Sequence, residues 1–281
     1  MTLRTAGGKP VRNLKFRLFL ATPILIAGQL FSQPAEPNNA QTIVDRSAKI
    51  AQADRKASSE YDNSETDKMA DGTTKTYSVQ MLYGSPYEEL IAINGEPLSS
   101  GKQEQESDKL RREEARRKHE SPQQHARRVA GFRAEQKQEN RFLAEFTKAF
   151  DFKIAGEEEL DHHQVYVLEA TPRPGYHPPD RDTQALKGMR GKMWIDKETY
   201  QWVKVEAEVT RPVSIMGFVA TVEPGTRFEL EKMPVAKDIW LPKHFAMTAK
   251  AKVLEIIHHR DHQDETYFDY HKSGQPSASS Q

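Results

Sequence analysis

Apolar and polar positions alternate through residues 189–209. Val203, Val205, Ala207 and Val209 share one parity, and Lys204, Glu206 and Glu208 the other. Successive side chains of a strand leave opposite faces, so this is the pattern of a half-buried antiparallel strand. The polar turn Asp196-Lys197-Glu198-Thr199 joins it to an earlier alternating run, Met189–Ile195. Tyr77, Val79, Met81 and Tyr83 alternate in the same way. Gly84-Ser85-Pro86 breaks that run and a second strand ends at Asn94-Gly95, which predicts a hairpin-like pair. Further strands are predicted at Gln164–Ala170, Ile215–Val222, Thr226–Met233, Lys243–Val253 and Glu265–His271. That makes about eight to ten strands.

Two stretches have helical character. Ile43, Val44, Ala48, Ile50, Ala51 and Ala53 form a weak stripe, which predicts one short amphipathic helix. Residues 102–150 are rich in Glu, Lys, Arg, Gln and Ala and predict two helices, separated at Ser121-Pro122 and inserted after the second strand. Glu113–Arg117 and Glu114–Lys118 have the acid-before-base spacing of an exposed helix. Leu110 is the only large aliphatic residue between 102 and 128, so this part reads as a solvated arm. Phe142, Leu143, Phe146 and Phe150 share a stripe and are expected to dock on the sheet. Ala57–Gly72 has almost no apolar residue and reads as a mobile connection. The expected architecture is mainly β with α insertions (α+β): a curved antiparallel sheet or half-open β-barrel with helices covering one side.

Composition locates this fold. Residues 1–17 hold Arg4, Lys9, Arg12, Lys15 and Arg17 and no acid; an apolar run, Leu18–Phe31, and small residues follow. That is the order of a secretory signal peptide, and the run is short of the roughly 20 residues of a membrane span. Cleavage near 35 and retention as an anchor are the two outcomes. The chain balances 41 basic against 41 acidic residues, and losing 1–35 leaves 36 against 41, a formal charge near −5. Such a balance argues against a nucleic-acid binder. With no cysteine, disulfides and an N-terminal lipid-modified cysteine are excluded. The expected organisation is a signal at 1–35, a polar segment with a short helix at 36–72, a β domain at 73–272 carrying the helical insertion 102–150, and a disordered tail at 273–281.

Candidate chemistry is sparse. His258, His259 and His262, with His162-His163, are possible zinc ligands, but the first group reads as a charged turn between strands and no local ligand spacing supports a site. Glu157-Glu158-Glu159 and Asp161 lack apolar neighbours that would raise a carboxyl pKa, and read as a solvated loop. No Gly-x-Ser-x-Gly elbow or phosphate-cradling glycine loop occurs. Arg111, Arg112, Arg116, Arg117, Lys118, Arg127 and Arg128 are candidates for lipid headgroups or a partner protein, though acidic neighbours offset them. No cofactor and no catalytic residue is expected.

The apolar strand face is the remaining candidate. Tyr77, Val79, Met81, Ile91, Ile93, Met193, Ile195, Val203, Val205, Phe228 and Leu230 are expected to point one way. Closed and packed, they are a core; open under a helical lid, they line a hydrophobic pocket. Both outcomes need the same alternation.

Four segments carry a family resemblance. They are 142–158 (Phe142-Leu143-Ala144-Glu145-Phe146 to Gly156-Glu157-Glu158), Val165–Tyr176, Gly191-Lys192-Met193-Trp194-Ile195-Asp196, and Trp240-Leu241-Pro242 with Tyr267-Phe268-Asp269-Tyr270. In this order the chain resembles exported bacterial outer-membrane lipoprotein-sorting (LolA-like and LolB-like) proteins over about residues 40–272. The resemblance implies a half-open barrel with helices in or over its mouth and a periplasmic, non-enzymatic carrier of a lipid or lipoprotein acyl chain. Relatives of the same architecture that sense or bind envelope proteins make the alternative, and peripheral membrane contact is compatible with both. The long arm, 102–139, departs from the compact carriers.

Overall fold

The computed structural model describes residues 39–215, 220–253 and 257–274. The basic and apolar start of the chain and the tail beyond 274 lie outside them. In chain order the elements are α1 (Ala40–Ser58), β1 (Tyr61–Lys68), β2 (Thr74–Leu82), β3 (Ser85–Ile93), β4 (Glu96–Pro97), α2 (Ser100–Lys118), α3 (Pro122–Ala149), β5 (Phe150–Leu160), β6 (His163–Pro172), a 3₁₀ helix (Asp182–Gly188), β7 (Met189–Asp196), β8 (Trp202–Val209), β9 (Val213–Ser214), β10 (Ala220–Val222), β11 (Arg227–Ala236), β12 (Ile239–Val253) and β13 (Ile257–Lys272). Every strand pairing among the described residues is antiparallel.

The thirteen strands form one sheet in the order β4-β3-β2-β1-β13-β12-β11-β8-β7-β6-β5, with β10 beside β12 and β9 beside β10. Its two edges do not meet, so the sheet stays open. It is nevertheless curled. β3 and β5 are nine strand spacings apart, about 43 Å if flat. Helix α3 touches both sides of that gap: Val129 lies over Gly84 in the β2–β3 turn, and Phe146 packs on Phe150 and Phe152 of β5. The helix rises only about 26 Å between those residues. A flat sheet cannot satisfy both contacts. Gly84 suits this turn, with φ of 86° and a would-be Cβ 3.3 Å from Val129 Cγ2.

Several elements differ from the sequence expectation. Ala57–Gly72 is not a connection, because residues 61–68 form β1, paired to β2 and β13. Its polar side chains conceal it, since its cohesion comes from backbone bonds on both sides. Glu157-Glu158-Glu159 lies on β5 and not in a loop, and 258–264 lies in β13 and not in a turn. Of the strand expected at Ile215–Val222, Ala220–Val222 forms β10, paired with β12 and with β9 (Val213–Ser214), and residues 216–219 lie outside the described residues. The helical insertion follows the fourth strand, not the second, and the strands outnumber the expected eight to ten.

Candidate binding face

Directly opposed residues of paired strands point to the same side of the sheet. One unbroken row crosses ten strands: Ile154, Leu168, Met193, Val205, Leu230, Phe245, Glu265, Asp67, Lys75 and Ile93. This is the face that α1 and the end of α3 cover. The row starts apolar, turns charged at Glu265-Asp67-Lys75, and ends apolar on Ile93.

The register brings nine of the eleven expected site residues to this face. Met193, Val205, Leu230 and Ile93 are in the row itself; Tyr77, Val79, Met81, Ile195 and Phe228 lie beside it. Two are displaced by bulges. β8 slips between its pairs Lys204–Trp194 and Trp202–Ile195, so Trp202 joins the covered core and Val203 packs instead with Val165 and Trp240. β3 slips between Ala92–Thr76 and Leu90–Tyr77, which leaves Ile91 as the extra residue, 37% exposed. An inserted residue reverses the facing of every later position in its strand, and alternation alone cannot reveal it.

Half of the covered face is full. Ile43 and Val44 of α1 are wholly buried against Phe146, Phe150, Leu168, Met193, Ile195, Trp202 and Val205. The cavity left beside Phe146, Leu186, Met189 and Phe228 is about 10 Å³, too small for an apolar guest. Polar hooks fasten α1 here. Asn39 caps it by accepting from Thr42 N (2.7 Å), and Trp202 Nε1 donates to Ser47 Oγ (3.0 Å). Asp54 accepts from Lys232 Nζ (2.5 Å), Gln201 Nε2 (3.1 Å) and the Trp240 backbone N (3.2 Å). Burial pushes the Lys232 amine below its usual pKa, against the pull of Asp54.

The other half differs. Tyr77, Val79, Met81, Leu90, Ile93, Phe245 and Met247 are all half-buried. Between these apolar flanks lies an acidic floor. The carboxylates of Glu65, Asp67 and Glu265 present oxygens within 4.8 Å of one another. The Tyr267 hydroxyl donates to Glu265, and Asp67 Oδ1 is buried without a hydrogen-bond partner. Burial first, then the charges of Asp67 and Glu265, push Glu65 up to about 8. Glu65 is therefore protonated at neutral pH, because three carboxylates this close do not all ionise. This is the one group with metal-ligand spacing found among the described residues. Nothing in the sequence pattern announced it, since β1 and β13 lie at opposite ends of the chain.

The histidines do not converge. His258 faces Glu223 (3.2 Å), His262 faces Thr248 (3.3 Å), and His163 meets Asp196 (3.2 Å) and the edge of Trp240. The arm is not free either. Arg117 is 8% exposed and donates to the carbonyls of Leu82 (2.8 Å), Ser85 (2.8 Å) and Pro86 (3.2 Å). Arg128 adds bonds to Ser85 Oγ (2.7 Å) and the Tyr83 carbonyl (3.1 Å). A capping box at Ser121 and Gln124, with Pro122, starts α3 beside them. The expected solvated arm is a brace on the sheet edge, held by arginine side chains that the sequence presents as one more charge run.

The structure thus defines a class: a curled, unclosed antiparallel sheet whose inner face is partly plugged by helices. No family model matches the chain, and no curated protein does. Solved structures of similar fold include a LolA superfamily protein from Nitrosomonas europaea (12% identity, 85% of this chain and 95% of that one, TM-score 0.32). A putative outer membrane lipoprotein-sorting protein domain from Vibrio parahaemolyticus is similar at 13% identity, over 84% of this chain and 96% of that one, TM-score 0.30. A DUF1329 family protein from Desulfovibrio piger gives 12%, 85%, 95% and 0.30. The chain is similar to LolA-superfamily proteins in fold; likeness at these TM-scores carries nothing about ligand or partner.

Proposed function

We propose that this protein is an exported, periplasmic, non-enzymatic binding protein that holds a lipid or acyl chain along the half-open part of its inner face. The observation that carries the reading is the unequal filling of that face. Where α1 lies, the apolar side chains are sealed; over β2, β3 and β12 their counterparts stay half-buried. Each methylene moved from water onto such a surface contributes about 0.8 kcal/mol, so a long chain gains several kcal/mol there. Protonation of Glu65 at neutral pH removes one charge from the floor beneath it. Of the expected ligand-contacting residues, Tyr77, Val79, Met81 and Ile93 stand in this half. Met193, Ile195 and Val205 support the plug.

The test is native mass spectrometry of gently extracted protein, followed by titration of the delipidated protein with a fluorescent long-chain fatty acid. Saturable uptake that Val79→Asp abolishes without lowering the melting temperature supports the reading. A clean apo mass together with no uptake overturns it.

A second reading has its own observation. The braced arm leaves Lys102, Arg112, Lys118 and Arg127 exposed on a rigid support, a surface suited to an acidic envelope protein. Reversing these charges would then abolish partner capture and spare fatty-acid uptake.

A further inference from the structure

Three carboxylates stand in the middle of a face whose flanks are apolar, and the register shows how they are set. Across β13, β1 and β2, Tyr267, Glu65 and Tyr77 form one rung, and Glu265, Asp67 and Lys75 form the next. Apolar side chains continue both rungs. Phe245 of β12 is opposite Glu265, Leu90 of β3 is opposite Tyr77, and Ile93 is opposite Lys75. Glu88 of β3 stands one rung further on, opposite Val79. Directly opposed residues share a face, so Phe245 and Ile93 lie on the same side with the carboxylates between them. They are four strand spacings apart, about 19 Å along the sheet. An extended acyl chain that touches both has to pass over the acids.

The surroundings of Glu65 favour its neutral form. Burial and the charges of Asp67, Glu265 and Glu88 all act against its ionisation. The two phenols opposite it, Tyr77 and Tyr267, are themselves held protonated, by burial first and then by nearby acids. Tyr270 of β13 is held in the same way by burial and by Glu65. Lys75, the cation of these two rungs, stands opposite Asp67 and not Glu65. An independent detail agrees. Asp67 Oδ1 is buried and accepts no hydrogen bond, and a proton on a neighbouring carboxyl supplies the donor it lacks. A chain laid over this floor removes the water that is left. Burying charged carboxylates without partners is costly, so the groups take up protons instead. Binding and protonation then favour each other, because linkage between them is reciprocal.

We infer that the half-open face takes up an acyl chain together with protons on Glu65, Asp67 and Glu265, keeping the chain while this floor is neutralised and releasing it when the floor ionises. The inference rests on the carrier reading above and adds the condition under which the face lets go.

The experiment titrates the full chain with a pyrene-labelled long-chain alcohol, which has no titratable group, at pH values from 6 to 9. The expected affinity is flat at the acid end and about tenfold weaker at pH 9, the effect of one linked proton. Calorimetry at pH 8 in two buffers of different ionisation heat adds a measurement that does not depend on alkaline stability; net proton uptake on binding is expected. Glu65→Gln is expected to flatten the pH profile and to cut the proton uptake. Glu89 is also raised by burial but lies on the other side of β3, opposite Ser78, so Glu89→Gln is expected to keep both. Saturable binding of equal affinity at pH 6 and pH 9 without proton uptake overturns the inference and leaves the carrier reading standing. No binding at any pH overturns both. A pH response that survives Glu65→Gln, or that Glu89→Gln removes, belongs to other groups and overturns the inference as well. So does tighter binding at pH 9 on addition of calcium, which assigns the three carboxylates to a metal ion.

Discussion

Asp54 and Lys232 meet at 2.5 Å with side chains 3% and 7% exposed, and this pair joins α1 to the sheet. The hydrogen bonds of Asp54 to Gln201 and to the Trp240 backbone complete the arrangement. A buried ion pair is costly to break from one side, because the surviving charge keeps its burial and loses its partner. Asp54→Ala is therefore expected to destabilise the protein by about 3–5 kcal/mol. Replacing Asp54 and Lys232 together by Leu and Met is expected to restore most of that loss. Urea unfolding of the two variants decides it; equal losses would show that Lys232 gains nothing from Asp54.

Glu65 predicts a pH dependence. Its pKa is raised from 4.5 to about 8 in the folded protein, so between those values the native state holds a proton that the unfolded chain releases. Stability from this group is complete below about pH 4.5 and is lost as pH rises towards 8. Glu65→Gln keeps the shape and cannot ionise. Its stability is expected to exceed that of the parent at pH 8.5 and to vary less between pH 5 and pH 8.5. An identical pH profile for both proteins would place the Glu65 carboxyl in solvent.

The filled half of the inner face predicts a steep cost. Phe146 lies 5.0 Å from Phe150, 5.5 Å from Phe152 and 6.3 Å from Trp202, ring to ring. Phe146→Ala is expected to cost about 3–5 kcal/mol. Val205, 4% exposed in the same core, is expected to tolerate Asp no better, since a charge is then buried without a partner. A melting temperature within a few degrees of the parent for either variant would contradict the packing described.

Arg117 is expected to hold α2 against β3. Arg117→Met removes the donors to the Leu82, Ser85 and Pro86 carbonyls, at a cost of about 2 kcal/mol. Hydrogen exchange across 100–118 should quicken while β6–β8 stays protected. Uniform protection would mean that the helix is held by something else.

Much of this architecture is legible in the chain because alternation is a local property. The β7–β8 hairpin, the β2–β3 pair and the start of α1 come from residues a few positions apart. β1 escaped notice because Tyr61–Lys68 carries no apolar alternation, its strand neighbours on both sides supplying what the pattern omits. The displaced positions of Val203 and Ile91 have a different cause. A bulge is a relation between two strands, and one strand's sequence does not contain it.

From its own order of residues the chain determines an antiparallel sheet with one greasy face and a helical insertion, since side-chain polarity and backbone geometry act within a few residues. Folding alone decides which part of that face is sealed by α1, which part stays half-open, and where Glu65, Asp67 and Glu265 meet. The reason is that burial and proton affinity depend on neighbours brought together from distant segments. No local pattern encodes which neighbours those will be.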